Sequence, residues 1–398
     1  MAGPLSGVRV IDLTSMVSGP LCTVTLADQG ADVIKVEAPG GGDHTRLVAT
    51  RRGGFSASFV NNNRNKRSVV IDVKNPDGLE TLKILMSQAD VVVQNFRPGV
   101  AERIGVGEPD VRALNPSIIY VSISGFGFDG PYAQKPVFDP LVQAVSGLTT
   151  VQAGSDDERP RLVRTILPDK LTGVQAAQAI TAALFSRERS GEGQHIQISM
   201  LDTVIAFLWG SDMGGHTFVG DEMGVERAQS FIDLIYETAD GYVSVAVMQD
   251  KDWQGFCRAM DRDDLLDDER FSTAEQREMN KDARMELTQG LVRTHNTANL
   301  LSRLETGGVP CAPVLTRQEM RHHPQVVANG IIVETEHATA GTLRQARPPA
   351  HFSHTDFEFR HDAPDYGAHT TEVLTEFGLN DDRIQTLIKS AAIMQAKE

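Results

Sequence analysis

Asp169 follows Pro168 and precedes a long helix-forming run predicted over 170–189. Asp is a favoured helix N-cap, stabilising by about 1 kcal/mol over Ala. A carboxylate at a helix N-terminus is also held ionised by the helix dipole. An ionised, positioned carboxylate is what nucleophilic attack on a thioester requires. The capping and nucleophilic readings are compatible. Asn95-Phe96-Arg97-Pro98-Gly99 closes an apolar strand-like run. Arg97 there is suited to a phosphate through two parallel hydrogen bonds, and Phe96 to an adenine ring. The alternative is a plain turn with a surface Arg. Residues 17–20 follow the first strand and open a helix, where ligands and phosphates collect in open α/β sheets.

Other chemistries fit less well. Residues 125–130 read GFGFDG, a formal G-x-G-x-x-G, but Pro131 follows, no amphipathic helix opens, and no acidic partner stands about 20 residues on. A glycine loop that lets backbone approach a ligand, or a turn, is the better reading. His322 and His323 are adjacent and lack an acidic or Cys partner at ligand spacing, so no metal site is expected. No G-x-S-x-G elbow marks a serine nucleophile.

The elements that must position these residues alternate. Apolar runs at 8–13, 33–36, 69–73, 91–93 and 118–123 suit strands buried on both faces of a parallel sheet. Between them a helix is predicted over 76–88, with Asn75 as N-cap and Pro76 at its first position. The fold class is therefore α/β, with right-handed crossovers. In the 170–189 helix, Leu171, Val174, Ala182 and Phe185 share a stripe interrupted by Gln178, and Ala177, Ile180 and Leu184 add apolar surface beside it, so much of the helix should be buried. A strand at 195–199 and another buried helix at 200–209 follow. Residues 210–227 read as a linker, and 228–325 as a smaller domain that opens with a hairpin around Ala239-Asp240-Gly241. Pro348-Pro349 marks another linker, and a helix at 370–377 closes at Gly378.

Composition excludes several classes. At 398 residues two or more domains are expected. With 40 % apolar and 23 % charged residues the chain can build a sizeable core. No run approaches the ~18–20 apolar residues of a membrane span, and no signal peptide is evident, which predicts a cytoplasmic protein. Cys22, Cys257 and Cys311 form neither a disulfide framework nor a CxxC site and read as small apolar residues. A net charge of −15 argues against nucleic acid as a partner. A local cluster of basic residues, Lys35, Arg46, Arg64, Lys66, Arg67, Lys74, Arg97 and Arg103, still leaves room for an anionic ligand.

These signals fit one pattern. LSGVRVIDLT at 5–14, GADVIKVEAPGGGDHTR at 30–46, NRNKRSVVIDVKNPDG at 63–78, VVVQNFRPGVAERIG at 91–105, YVSISGFGFDGPYA at 120–133, PDKLTG at 168–173, GEGQHIQISMLD at 191–202 and GVPCAPV at 308–314 follow in order. The chain thereby resembles the class III CoA-transferases, the family of formyl-CoA transferase and carnitine CoA-transferase. The resemblance implies a Rossmann-like large CoA-binding domain at 1–209, a smaller α+β domain at 228–325, and a return to the large domain within 326–398. It implies an interlocked homodimer. It implies that acyl-CoA and a free carboxylic acid are the substrates, with no permanently bound cofactor. It places the catalytic carboxylate on Asp169, which would pass through a mixed anhydride and an aspartyl-CoA thioester. Glycines near 125–127 would help stabilise the oxyanions. The family's CoA contacts fall on Val17, Ser18, Ile71, Lys74, Asn95, Phe96, Arg97 and Arg103.

The sequence departs from the family at three places. Ala38 stands where a basic residue is common, which leaves the phosphates to Arg97, Arg103 and Lys74. PVFDP at 136–140 and the lack of a glycine-rich loop near 214–224 argue against formyl-CoA and oxalate as the substrate pair. The superfamily also holds α-methylacyl-CoA racemases, whose His and Glu bases fall here on Phe138 and Gln249, neither of which can abstract a proton. A non-catalytic subunit of a heteromeric transferase would be expected to lack Asp169, and a nucleotide-binding regulator would not need it.

Overall fold

The computed structural model describes residues 3–48, 50–220 and 234–396. The chain divides into two compact units, Met1–Glu226 with Ile331–Glu398, and Arg227–Gly330.

The larger unit is built on a seven-stranded sheet. Its order is Ile393–Met394, Lys66–Ile71, Asp32–Glu37, Arg9–Asp12, Val91–Gln94, Ile119–Ser124 and His195–Ser199. All neighbours are parallel except the short edge strand Ile393–Met394. Without that edge strand the order is that of a doubly wound Rossmann sheet. Alternate residues of the central strands serve opposite faces, so both must be apolar. Val10, Val33, Val91 and Val121 pack against helices Ser18–Asp28 and Leu167–Ser190. Ile11, Ile34, Val92 and Tyr120 pack against Pro76–Ser87, Thr370–Glu376 and Asp381–Lys389. Each such buried aliphatic contributes roughly 1.5–3 kcal/mol.

Local signals set several boundaries. Asn75 Oδ1 accepts from Asp77 N at 3.0 Å and Pro76 opens the helix, as predicted. Two helices depart from expectation. In Leu167–Ser190 the buried face is Gly173, Ala176, Ala177, Ile180, Ala183 and Leu184, whereas Val174 and Phe185 are 55 % and 65 % exposed. The buried face combines Ile180 and Leu184 with small side chains, which are needed where Ser18–Asp28 packs close. Gly173 shows how close: a Cβ there would lie 2.7 Å from Ser18 O. Met200–Trp209 is only half buried, with Phe207 and Trp209 on its outer side.

The hairpin Ile332–His337 with Gly341–Ala346 had no sequence signal, because charged residues break its apolar alternation. Within 210–227 a short helix spans Gly214–Thr217; residues 221–227 of that stretch, and 228–233 after it, lie outside the described residues. The smaller unit carries a three-stranded antiparallel sheet, Cys311–Pro313, Tyr242–Val245 and Ile235–Glu237. Its core gathers Trp253, Phe256, Phe271, Leu300 and Leu304, giving the α+β character expected.

Candidate active site

The order of the parallel strands reverses between Arg9–Asp12 and Val91–Gln94. Crossovers leave these neighbours in opposite directions and open a crevice beyond their carboxyl ends. Two cavities lie there. An apolar slot of about 240 Å³ is lined by Leu13, Val36, Ile71, Val73, Phe96 and Ile104. A more polar cleft of about 230 Å³ is lined by Ser18, Asn95, Arg97, Lys135, Asp139 and Asp169. Ser15 and Phe96 line both.

The helix carrying Asp169 starts earlier than predicted. It spans Leu167–Ser190, and Ile166 is its N-cap without a side-chain cap bond. Pro168 is tolerated in the first turn, where no intrahelical N–H is needed, so the helix begins upstream of it. Asp169 is therefore not the cap. Its carboxylate is turned to another element: Ser18 N donates to Asp169 Oδ1 at 3.2 Å. Asp169 N in turn donates to Asp139 Oδ2 at 3.2 Å. Asp139 is buried, and its Oδ1 accepts from Gln143 Nε2 at 2.6 Å.

The electrostatic expectation is also reversed. Burial first, and then the neighbouring Asp139 charge, push the Asp169 carboxyl up to about 6. The Ser18 bonds oppose this only in part. Burial also raises Asp139. Desolvation and the second carboxylate thus outweigh the first-turn dipole, an effect of about 0.3–1 kcal/mol. The resulting group is a more basic carboxylate, still ionised above neutrality.

Of the sequence-predicted contacts, Ser18, Asn95, Phe96 and Arg97 share the cleft with Asp169, and Ile71 faces Phe96 across the slot. Lys74 and Arg103 are exposed, one residue from the slot-lining Val73 and Ile104. Val17 is the exception: it lines a separate cavity with Leu21, Lys170 and Val174. The Asn95 amide is already engaged, accepting from Ser15 N at 3.0 Å and donating to Ser15 O at 2.8 Å. Phe96 is steadied by its own N, which donates to the buried Gln94 Oε1 at 2.8 Å. Gly125 lines the cleft, but the Gly127 N–H is taken by Ser124 Oγ at 3.1 Å and is not free for an oxyanion. The 125–130 segment forms bends, and no helix starts in it.

The basic cluster read from sequence divides in space. Lys35, Arg46, Arg64, Lys66 and Arg67 are buried in ion pairs with Asp43, Glu37, Asp28, Asp12 and Asp32. Only Lys74, Arg97 and Arg103 of the eight are exposed. The pairing is invisible in sequence because partners such as Asp12 and Lys66 are joined only by strand placement. Asp139 was missed for the same reason: it meets Asp169 across 30 residues. Cys22, Cys257 and Cys311 are free, and burial raises the pKa of each thiol above its ordinary value. Among the described residues no His, Cys, Asp and Glu group is placed to hold a metal ion, and no helix is long and apolar enough to cross a membrane.

The chain is 36 % identical over 382 residues to a succinate–glutarate CoA-transferase of Agrobacterium fabrum, covering 94 % of this chain and 95 % of that one. It is 30 % identical over 426 residues to a formyl-CoA:oxalate CoA-transferase of Escherichia coli O157:H7, covering 99 % of this chain and 100 % of the other. Its structure is similar to that of a CAIB/BAIF family protein from Brucella suis, with a TM-score of 0.82, 30 % identity, and coverage of 95 % and 100 %. Residues 5–370 match the sequence pattern of CoA-transferase family III. A match of that length, on a Rossmann-like sheet with a carboxylate at its switch point, means that the chain belongs to CoA-transferase family III and is an enzyme of the CoA-transferase class.

Proposed function

We propose that this enzyme moves CoA from an acyl-CoA thioester to a free carboxylic acid, with Asp169 as covalent nucleophile. The observation that carries the reading is the pair of cavities meeting at Ser15 and Phe96: one is a mainly apolar slot, and the other holds Asp169. Adenine would lie between Ile71 and Phe96. Lys74, Arg97 and Arg103 would serve the phosphates, with Ser18 and Asn95 bordering the thioester end. Val17 would contribute through its backbone at the helix start.

The Asp169 carboxylate attacks the thioester carbonyl and expels CoA thiolate, leaving a mixed anhydride. The thiolate attacks the aspartyl carbonyl and releases the donor acid, giving an aspartyl-CoA thioester. The acceptor carboxylate then attacks that thioester, and the thiolate returns to the acceptor's carbonyl, which frees Asp169. The thioester consumed is replaced by a thioester formed, so the overall exchange is close to energy-neutral and no ATP is needed. A carboxylate raised to about 6 is a better nucleophile than an ordinary Asp and is still mostly ionised at neutral pH.

The acids favoured here are dicarboxylic, as in the succinate–glutarate relative. Lys135 supports this, as the cation lining the cleft, among the described residues, that the phosphates leave free. Among the described residues no histidine lines it, which supports transfer over racemisation. Three free cysteines support a cytoplasmic location. The exposed Val174 and Phe185 support a homodimer that would cover them. The test is a matrix of acyl-CoA donors against carboxylic acids, read by mass spectrometry. Transfer from succinyl-CoA to glutarate is expected. Deuterium exchange at the substrate α-carbon without transfer would overturn the reading.

A further inference from the structure

Residues 13–17 join the first strand to helix Ser18–Asp28, and 13–16 border the two cavities. Met16 sits there at φ +70°, a left-handed conformation that costs a non-glycine residue strain. The loop around it is fastened from outside. Thr14 N donates to Asp12 Oδ1 at 2.9 Å, and Thr14 O accepts from Lys35 Nζ at 2.9 Å. Asn95 holds both backbone groups of Ser15. Met16 N donates to Asp43 Oδ1 at 3.2 Å.

Asp43 is itself fixed. Its Oδ2 lies 2.9 Å from Lys35 Nζ, and both side chains are buried. Its backbone N donates to Glu37 Oε2 at 2.9 Å. Two residues beyond Met16, Ser18 N reaches Asp169 Oδ1. The ion pair and the strained residue thus stand at one end of a short covalent path whose other end touches the carboxylate.

We propose that Asp43, held by Lys35, is a positioning residue: by accepting from Met16 N it keeps Met16 left-handed, and so keeps the Ser18 N–H aimed at Asp169. This rests on Asp169 as the nucleophile. If Met16 relaxed to a negative φ, the chain would enter the helix in a different direction and carry Ser18 N off the carboxylate. Glycine would hold this turn without help. Methionine needs the bond, and its side chain lines the cleft.

The experiment is a double-mutant cycle on the purified full chain, reading kcat and KM with acyl-CoA and acid. Asp43→Ala is expected to lower kcat roughly ten-fold or more, the scale of strain released at one left-handed residue. In the Met16→Gly background the same change should cost less than about three-fold in kcat. Equal losses in both backgrounds would overturn the proposal. So would an effect on KM alone, which would assign Asp43 to the apolar slot that it also lines. If Asp43→Ala fails to fold, Met16→Val decides, because a β-branched residue resists positive φ. A folded Met16→Val with undiminished kcat overturns the proposal, and a roughly ten-fold loss supports it. Asp169→Ala separates the layers: if it keeps transfer, the nucleophile reading fails, whereas if it abolishes transfer while Asp43→Ala is normal, only the positioning role fails.

Discussion

At the scale of single residues, the account turns on a carboxylate that is costly to keep charged. Burial and Asp139 raise Asp169 from 3.8 to about 6. In the proposed reaction its ionised form attacks, so kcat/KM should rise with pH through about 6 and level above it. Asp139→Asn removes the neighbouring charge and should move that acid limb to lower pH, as a pH–rate profile would show. An unmoved limb would mean that Asp139 does not act on Asp169. Stability runs the other way. Between 3.8 and about 6 the native state binds the extra proton, so this group's contribution is complete below 3.8 and lost as pH rises through 6. Asp169→Asn should therefore raise thermal stability at pH 7.5, by about 1–2 kcal/mol after discounting for partial exposure. Melting curves at pH 4 and 7.5 should show the gain only at the higher pH.

At the scale of elements, the site depends on two helices brought unusually close. Gly→Ala inside a helix ordinarily stabilises by about 1 kcal/mol. At Gly173 the added Cβ would meet Ser18 O at 2.7 Å and Leu21 Cβ at 3.0 Å, and a backbone oxygen cannot swing aside. Overpacking of this kind costs about 1–3 kcal/mol, so the clash wins. Gly173→Ala should lower the melting temperature and also kcat, because Ser18 is the residue displaced. A stabilised, fully active variant would contradict the close packing. Much at this scale was legible: Asn75-Pro76 started its helix, and the apolar runs at 33–36 and 91–93 became central strands. What was illegible depended on partners. The stripe of Leu171, Val174, Ala182 and Phe185 looked like the core face, but the buried face is the neighbouring one, where Gly173, Ala176, Ala177 and Ala183 sit beside Ile180 and Leu184. The basic residues looked like an anion site, but most of them neutralise buried Asp and Glu brought in by neighbouring strands.

At the scale of the whole molecule, the chain-long resemblance singled out Asp169, but the surroundings of that carboxylate were not legible. Ser18 and Asp139 reach Asp169 from 151 and 30 residues away, a distance in sequence that only the folded topology closes. Homodimer formation should bury the exposed Val174 and Phe185. Phe185→Asp should then shift the solution mass from twice the chain mass towards one chain, read by light scattering. A wild-type chain that stays monomeric at micromolar concentration would exclude this arrangement. The central claim is covalent. Incubating the enzyme with acyl-CoA and hydroxylamine, then mapping peptides by mass spectrometry, should find a hydroxamate on Asp169 alone, formed only when acyl-CoA is present. An enzyme that turns over fully yet carries no modification at Asp169 would contradict it.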